Sequence, residues 1–182
     1  MHGTGRLGLR EVNAMSVHDF VAALGGVFEH SPWIAERTFA ARPFADVGAL
    51  HAAMVAAVRD ARPAEQLALL CAHPELAGRE AQAGTLTDAS TAEQKSAGLS
   101  ALNRAEMERI AELNHEYRAK HGFPFIIAVR NYDKAGIFAE FERRLGNATT
   151  EELANCLAQV YAITRLRLDA MIEAQSASEG KS

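Results

Sequence analysis

Apolar residues in this chain recur mostly at three- and four-residue spacing, the period of helices that bury one face. Phe20, Val21 and Leu24 make one such face after Ser16-Val17-His18-Asp19, which has the polar residues of a helix start, and Gly25-Gly26 ends it. Ser31-Pro32 opens the next helix with Trp33 just inside, since proline is tolerated in a first turn. Asp46 caps a third helix carrying Leu50, Met54, Val55 and Val58. Pro63 starts a fourth, in which Leu67, Leu69, Leu70 and Cys71 read as buried. That pattern stops at His73-Pro74-Glu75-Leu76-Ala77-Gly78, because a proline disfavours helical dihedrals in the residue before it. Gly78 then permits a tight turn.

A polar linker over residues 84–89 precedes Ser90-Thr91-Ala92-Glu93, which has the spacing of a capping box. A long helical region follows to Lys120, interrupted near Gly98, and Gly122 supplies its stop. Residues 123–129 are an apolar run with a proline inside. With no second strand to pair it, the run is expected to be an extended buried segment. Asp133 caps a helix ending at Gly146-Asn147, and Thr149-Thr150-Glu151-Glu152 opens a last helix to about residue 174. Residues 1–15 are Gly-rich and expected to be loose, and the polar tail from 175 to be frayed. The pattern predicts an all-α fold: a single compact multi-helix domain, residues 1–182, of about seven to nine helices.

Composition narrows the function classes. A net charge of −4 without any Lys/Arg cluster gives no electrostatic case for nucleic acid. No run of about 18 apolar residues would cross a membrane. The N-terminus lacks the apolar core of a secretion signal. Cys71 and Cys156 are too few and too far apart for a disulfide framework and both read as buried thiols, which together with the missing signal points to the cytoplasm.

Three residues are candidates for chemistry. His73 is a titratable ring at the end of a packed helix: either an acid or base, or a helix cap where a partly positive ring is favoured. Arg167 breaks an apolar face. At about 100° per residue it lies about 20° from Val160 around the helix, flanked by Ile163, Leu168 and Met171, while Arg165 points the other way. A guanidinium there either makes a structural ion pair, snorkels at the rim, or clamps an anionic substrate. Glu93 either closes its capping box or lines a polar pocket with Ser90 and Gln94 at a helix start. Metal motifs fail on spacing: His115-Glu116-Tyr117-Arg118-Ala119 has alanine where a zinc helix needs its second histidine. His115 and His121 read as exposed. Cys71 beside His73 is a weak nucleophile candidate, since residues two apart face different sides of a helix.

One ordered set of motifs runs along the chain: Asn13-Ala14-Met15-Ser16, Glu29-His30-Ser31-Pro32-Trp33, the His73 to Gly78 hexapeptide, residues 90–99, residues 122–130 and residues 163–168. Together they resemble the 2-oxo-4-hydroxy-4-carboxy-5-ureidoimidazoline (OHCU) decarboxylase family. The resemblance implies an all-α homodimer that decarboxylates OHCU to (S)-allantoin and carbon dioxide in urate catabolism, with no metal or organic cofactor. It puts His73 on the family's essential histidine, Glu93 on its acidic partner and Arg167 on the arginine that helps hold the substrate. Substrate-lining positions fall on Pro74, on Ser90, Glu93 and Gln94, and on Phe125, Ile126, Ile127, Ala128 and Val129. The family's peroxisomal members end in a targeting tripeptide; this chain ends Glu179-Gly180-Lys181-Ser182, and a cytoplasmic enzyme is expected. The competing expectation from the residues alone is a non-catalytic helical binding or scaffold module of the same fold. A ureide hydrolase is disfavoured by the missing metal-ligand spacing.

Overall fold

Polar residues start three of the helices where the sequence places them. Ser16, Asp46 and Asp133 each accept a hydrogen bond from the amide three residues on, at 3.1, 2.7 and 2.7 Å. The computed structural model describes residues 6–173; the expectations for residues 1–5 and for the tail from 175 lie outside them. In chain order the elements are β1 (Leu7–Gly8), α1 (Leu9–Ala14), α2 (Val17–Leu24), α3 (Trp33–Thr38), α4 (Val47–Arg59) and α5 (Pro63–Cys71). There follow α6 (Arg79–Ala83), α7 (Asp88–Ser96), α8 (Arg104–His121), α9 (Lys134–Leu145), α10 (Thr149–Met171) and β2 (Ile172–Glu173). The fold is all-α as expected, the only strands among the described residues being two residues long. No helix among the described residues is long and apolar enough to cross a membrane.

The segment expected to be loose before residue 15 is in part ordered. Leu9 and Val12 are buried, which anchors α1, and β1 pairs in parallel with β2 in the register Leu7 to Ile172 and Gly8 to Glu173. Two-residue strands carry no period that a sequence pattern can reveal.

Two compact units divide the described chain. Residues 6–66 with 164–173 make the first, and Leu67–Ile163 the second. In the first, α3 packs on α2 and α4 around Phe20, Leu24, Ile34, Leu50, Met54 and Val58, all essentially without solvent contact. Burying each such side chain stabilises the fold by roughly 1.5–3 kcal/mol. Asn13, from the first family motif, exchanges two hydrogen bonds with the Phe44 backbone, at 2.9 and 2.8 Å. Arg42 reaches the carbonyls of Asn13 and Met15, at 3.0 and 2.7 Å, and lies 3.5 Å over the Phe39 ring.

The second unit centres on Tyr117 of α8, whose ring meets Phe123, Phe125 and Phe141 edge-on. Gly122 ends α8 in the left-handed region at φ 82°, as its position predicts. Residues 123–129 are buried throughout and lack regular secondary structure until a short turn at Val129–Asn131, matching the expected buried segment. Three expectations need correction here. His115 is exposed, but His121 is buried with its ring 4.4 Å from Tyr117, because the last turn of α8 folds under the aromatic cluster. Burial pushes the His121 imidazole below its ordinary pKa. Leu69 and Leu70 define the inner side of α5, so Leu67 stands 42% exposed. Cys71, about 100° round from Leu70, is exposed too, and only Cys156 is a buried thiol.

Candidate active site

His73 sits just beyond α5, and its amide still bonds to the Leu70 carbonyl at 3.1 Å. Its ring is buried, and Nδ1 lies 2.9 Å from the Leu69 carbonyl. A carbonyl can only accept, so Nδ1 carries the proton and Nε2 is the basic nitrogen of the neutral ring. A helix-end histidine is thereby held in one orientation and one tautomer. The backbone beyond it turns differently from expectation. Ala77 takes the left-handed conformation at φ 48°, while Gly78, at φ −79°, caps α6. Glycine is still required there, because a Cβ at 78 would come within 2.8 Å of the Glu75 Cβ.

Two amide side chains clamp this loop. Gln94 Oε1 accepts the Ala77 amide, and Asn114 Nδ2 donates to the Leu76 carbonyl, each at 2.9 Å. A cleft of about 740 Å³ opens beside it, lined by His73, Cys71, Arg79, Asn114, His115 and Arg118 among others. Glu93, Ser90 and Gln94 are not among its lining residues.

The capping-box reading of Ser90-Thr91-Ala92-Glu93 is overturned. Thr87 is the cap, accepting the Ser90 amide at 3.3 Å, so α7 starts three residues earlier than expected. The stretch from Thr87 to Thr91 offers several hydroxyls able to cap, and local spacing does not choose among them. The structure has its capping box instead at Asn103 and Glu106, a start the sequence reading missed. Ser90, Glu93 and Gln94 consequently lie inside α7 at positions i, i+3 and i+4, on one face, and all three are buried. That face is polar where a helix of this kind would ordinarily bury apolar side chains. α7 packs against the Val129–Asn131 turn.

A buried polar network holds the preceding segment. Arg144 Nη1 donates to the Ile126 carbonyl at 2.8 Å, and Gln159 Oε1 accepts the Ala128 amide at 2.9 Å. Arg144 Nε also donates to both Glu152 oxygens, at 3.3 Å to Oε1 and 3.0 Å to Oε2, and its Nη2 lies 2.9 Å from Oε2 in the ion pair. Asn147, Asn155 and the Tyr117 hydroxyl donate to the same carboxylate. Burial by itself raises the pKa of Glu152, but the hydrogen bonds from Arg144, Tyr117, Asn155 and Asn147 outweigh it and hold the group at about 2. Phe125 stacks on Phe141 at 3.8 Å and lies under the Arg144 guanidinium at 4.5 Å. Sequence reasoning missed this network, although a signal existed: Arg144 continues the apolar stripe of Ile137 and Phe141 on α9.

Arg167 lies in the first unit. It is buried, as its place on the α10 face predicts, and Arg165 is exposed and paired with Asp169 at 3.0 Å. Arg167 Nη1 donates to Glu29 Oε2 at 2.9 Å and to the Val27 carbonyl at 3.2 Å. Glu29 comes from the Glu29-His30-Ser31-Pro32-Trp33 motif, whose Ser31 hydroxyl caps back onto the Glu29 carbonyl at 2.9 Å. Within the second unit, then, the His73 loop, the polar face of α7 and the 125–129 segment are tied together by Gln94 and by the packing of α7.

Known proteins share this arrangement of elements. A 2-oxo-4-hydroxy-4-carboxy-5-ureidoimidazoline decarboxylase from Haloferax volcanii is 44% identical, over 89% of this chain and 94% of its own length. A crystal structure of (S)-allantoin synthase superposes with a TM-score of 0.72 at 31% identity, covering 91% of this chain; this chain spans 54% of the synthase. A crystal structure of OHCU decarboxylase in the presence of (S)-allantoin shares the fold, with a TM-score of 0.64 at 18% identity over 86% of this chain and 97% of that one. The OHCU decarboxylase family profile matches residues 13–169, a span that holds the His73 loop, α7, the buried segment and Arg167. On that continuous match the chain belongs to the OHCU decarboxylase family.

Proposed function

We propose that this protein decarboxylates OHCU to (S)-allantoin and carbon dioxide in urate breakdown, without metal or organic cofactor. The observation that carries the reading is the family match across residues 13–169. The bond from the ring carbon to the carboxylate breaks, and its electron pair passes into the adjacent imidazoline system as an enolate-like anion. The substrate thus supplies its own electron sink. The hydroxyl-bearing carbon that loses the carboxylate becomes the carbonyl of the product, and a proton delivered from one face to the neighbouring ureido-bearing carbon sets the S configuration.

In this reading His73 moves the proton, and its tautomer, set by the Leu69 carbonyl, makes Nε2 the working atom. Glu93 orients the histidine or steadies its charged form, and Arg167 holds the substrate carboxylate. Pro74, Ser90, Gln94 and Phe125 to Val129 line the substrate and exclude water. A cytoplasmic homodimer is part of the same proposal, checked by sedimentation of the purified protein and by fractionation of cells.

The test supplies freshly generated OHCU and follows the optical activity of the allantoin formed. Purified protein should speed OHCU loss and yield one enantiomer; no acceleration and a racemic product would sink the reading. His73→Asn should lower kcat at least about a hundredfold with the helical circular dichroism unchanged, the size of a lost acid–base group.

A further inference from the structure

We infer that Gln159 and Arg144 are positioning residues that hold residues 126–128 in one register for the reaction, an inference resting on the decarboxylase reading above. A buried segment without regular secondary structure must find partners for its backbone amides and carbonyls outside any ladder. Here the partners are side chains. Arg144 takes the Ile126 carbonyl at 2.8 Å, and Gln159 takes the Ala128 amide at 2.9 Å.

These two groups are not arbitrary. In an extended run the carbonyl of residue i and the amide of residue i+2 turn to the same edge, as they do toward a neighbouring strand. The side chains of α9 and α10 therefore occupy one edge of the segment as a strand would. The amide and carbonyl of Ile127 turn to the opposite edge. Holding 126 and 128 fixes which way residue 127 presents its backbone, and a one-residue slip would exchange the two edges.

The holders are themselves held. Arg144 is locked by Nε hydrogen bonds to both oxygens of Glu152, whose carboxylate also binds Tyr117, Asn147 and Asn155. Its guanidinium lies on Phe125, the residue that opens the segment. A fully buried ion pair is no more stabilising than well-packed apolar residues of the same volume. A geometric role accounts for its presence better than a stabilising one.

Gln159 gives the cleaner test, since it is only half buried and lies outside the ion pair. Gln159→Leu removes the acceptor at similar volume, and Gln159→Glu keeps an acceptor oxygen. Three quantities are compared with wild type: amide exchange over residues 125–129, kcat and KM for OHCU, and the enantiomeric purity of the allantoin. Gln159→Leu should speed exchange of the Ala128 amide and raise KM about tenfold, the scale of one lost hydrogen bond. Its product should lose enantiomeric purity while exchange within α8 stays as in wild type, and Gln159→Glu should restore all three. A merely structural glutamine would shift the unfolding midpoint and leave purity and the kcat-to-KM pattern intact. Unchanged exchange and KM in Gln159→Leu overturn the inference. Wild-type protein inert on OHCU would instead sink the decarboxylase reading, and the exchange comparison would still decide whether Gln159 holds the segment.

Discussion

Two arginine–glutamate pairs are buried among the described residues, one in each unit, and they are built differently. Arg144 and Glu152 are 3% and 0% exposed and sit within the aromatic cluster of the second unit. Glu152 collects hydrogen bonds from Arg144, Tyr117, Asn147 and Asn155, and Arg144 spends Nη1 on a backbone carbonyl. Arg167 and Glu29, 8% and 2% exposed, join the C-terminal part of α10 to the loop between α2 and α3. Identical residue types thus serve as a locked frame in one unit and as a helix-to-loop tie in the other. Burial alone does not separate an arginine that holds the fold from one proposed to hold a substrate; the partners do.

The sharpest way to break this contrast is to remove the frame. Arg144→Ala leaves Glu152 buried without its cation, and should cost about 3–5 kcal/mol of stability near neutral pH by urea denaturation. The folded-state pKa of Glu152, about 2, lies below the ordinary 4.5, so its contribution is present above pH 4.5 and lost as the pH falls toward 2. The penalty of Arg144→Ala should shrink over that same window. A penalty under about 1 kcal/mol, or one independent of pH, would remove the distinction drawn for Arg144.

Arg167→Lys is the next largest test. Lysine keeps a positive charge near Glu29 but loses the planar donor fork that suits a carboxylate. Decarboxylation should fall roughly a hundredfold in kcat/KM, while the unfolding free energy changes by about 1.5 kcal/mol, the scale of one lost hydrogen bond with the charge kept. Equal losses of stability and activity would make Arg167 a second frame.

The smallest effect separates structure from chemistry on α7. Thr87→Ala removes the true cap and should cost about 1 kcal/mol of stability with kcat unchanged. Glu93→Gln, inside the helix, should leave stability nearly intact and lower kcat. The reverse pattern would return Glu93 to a structural role and revive the scaffold reading.

Much of this was legible before any coordinates. Ser16, Asp46 and Asp133 mark helix starts because a side-chain oxygen caps an amide three residues away, a purely local bond. Gly122 marks a stop through its left-handed backbone. Arg167 stood out because helical periodicity alone places it on a buried face. Arg144 obeys the same rule beside Ile137 and Phe141, but its partners, Glu152 on α10 and the Ile126 carbonyl, lie on other elements and meet it only once the turns on either side of α9 have folded.

What the sequence by itself determined was therefore most of the longer helices, their polar starts and the family pattern that singles out His73, Glu93 and Arg167. Only the tertiary structure decided that Thr87 rather than Ser90 caps α7, that His121 is buried and Cys71 exposed, and that Arg144 and Gln159 hold residues 126–128. Caps and stops are contests between neighbours within one turn. Burial and the satisfaction of a buried backbone are settled by side chains far apart in sequence, and they take form only when the helices carrying them have packed.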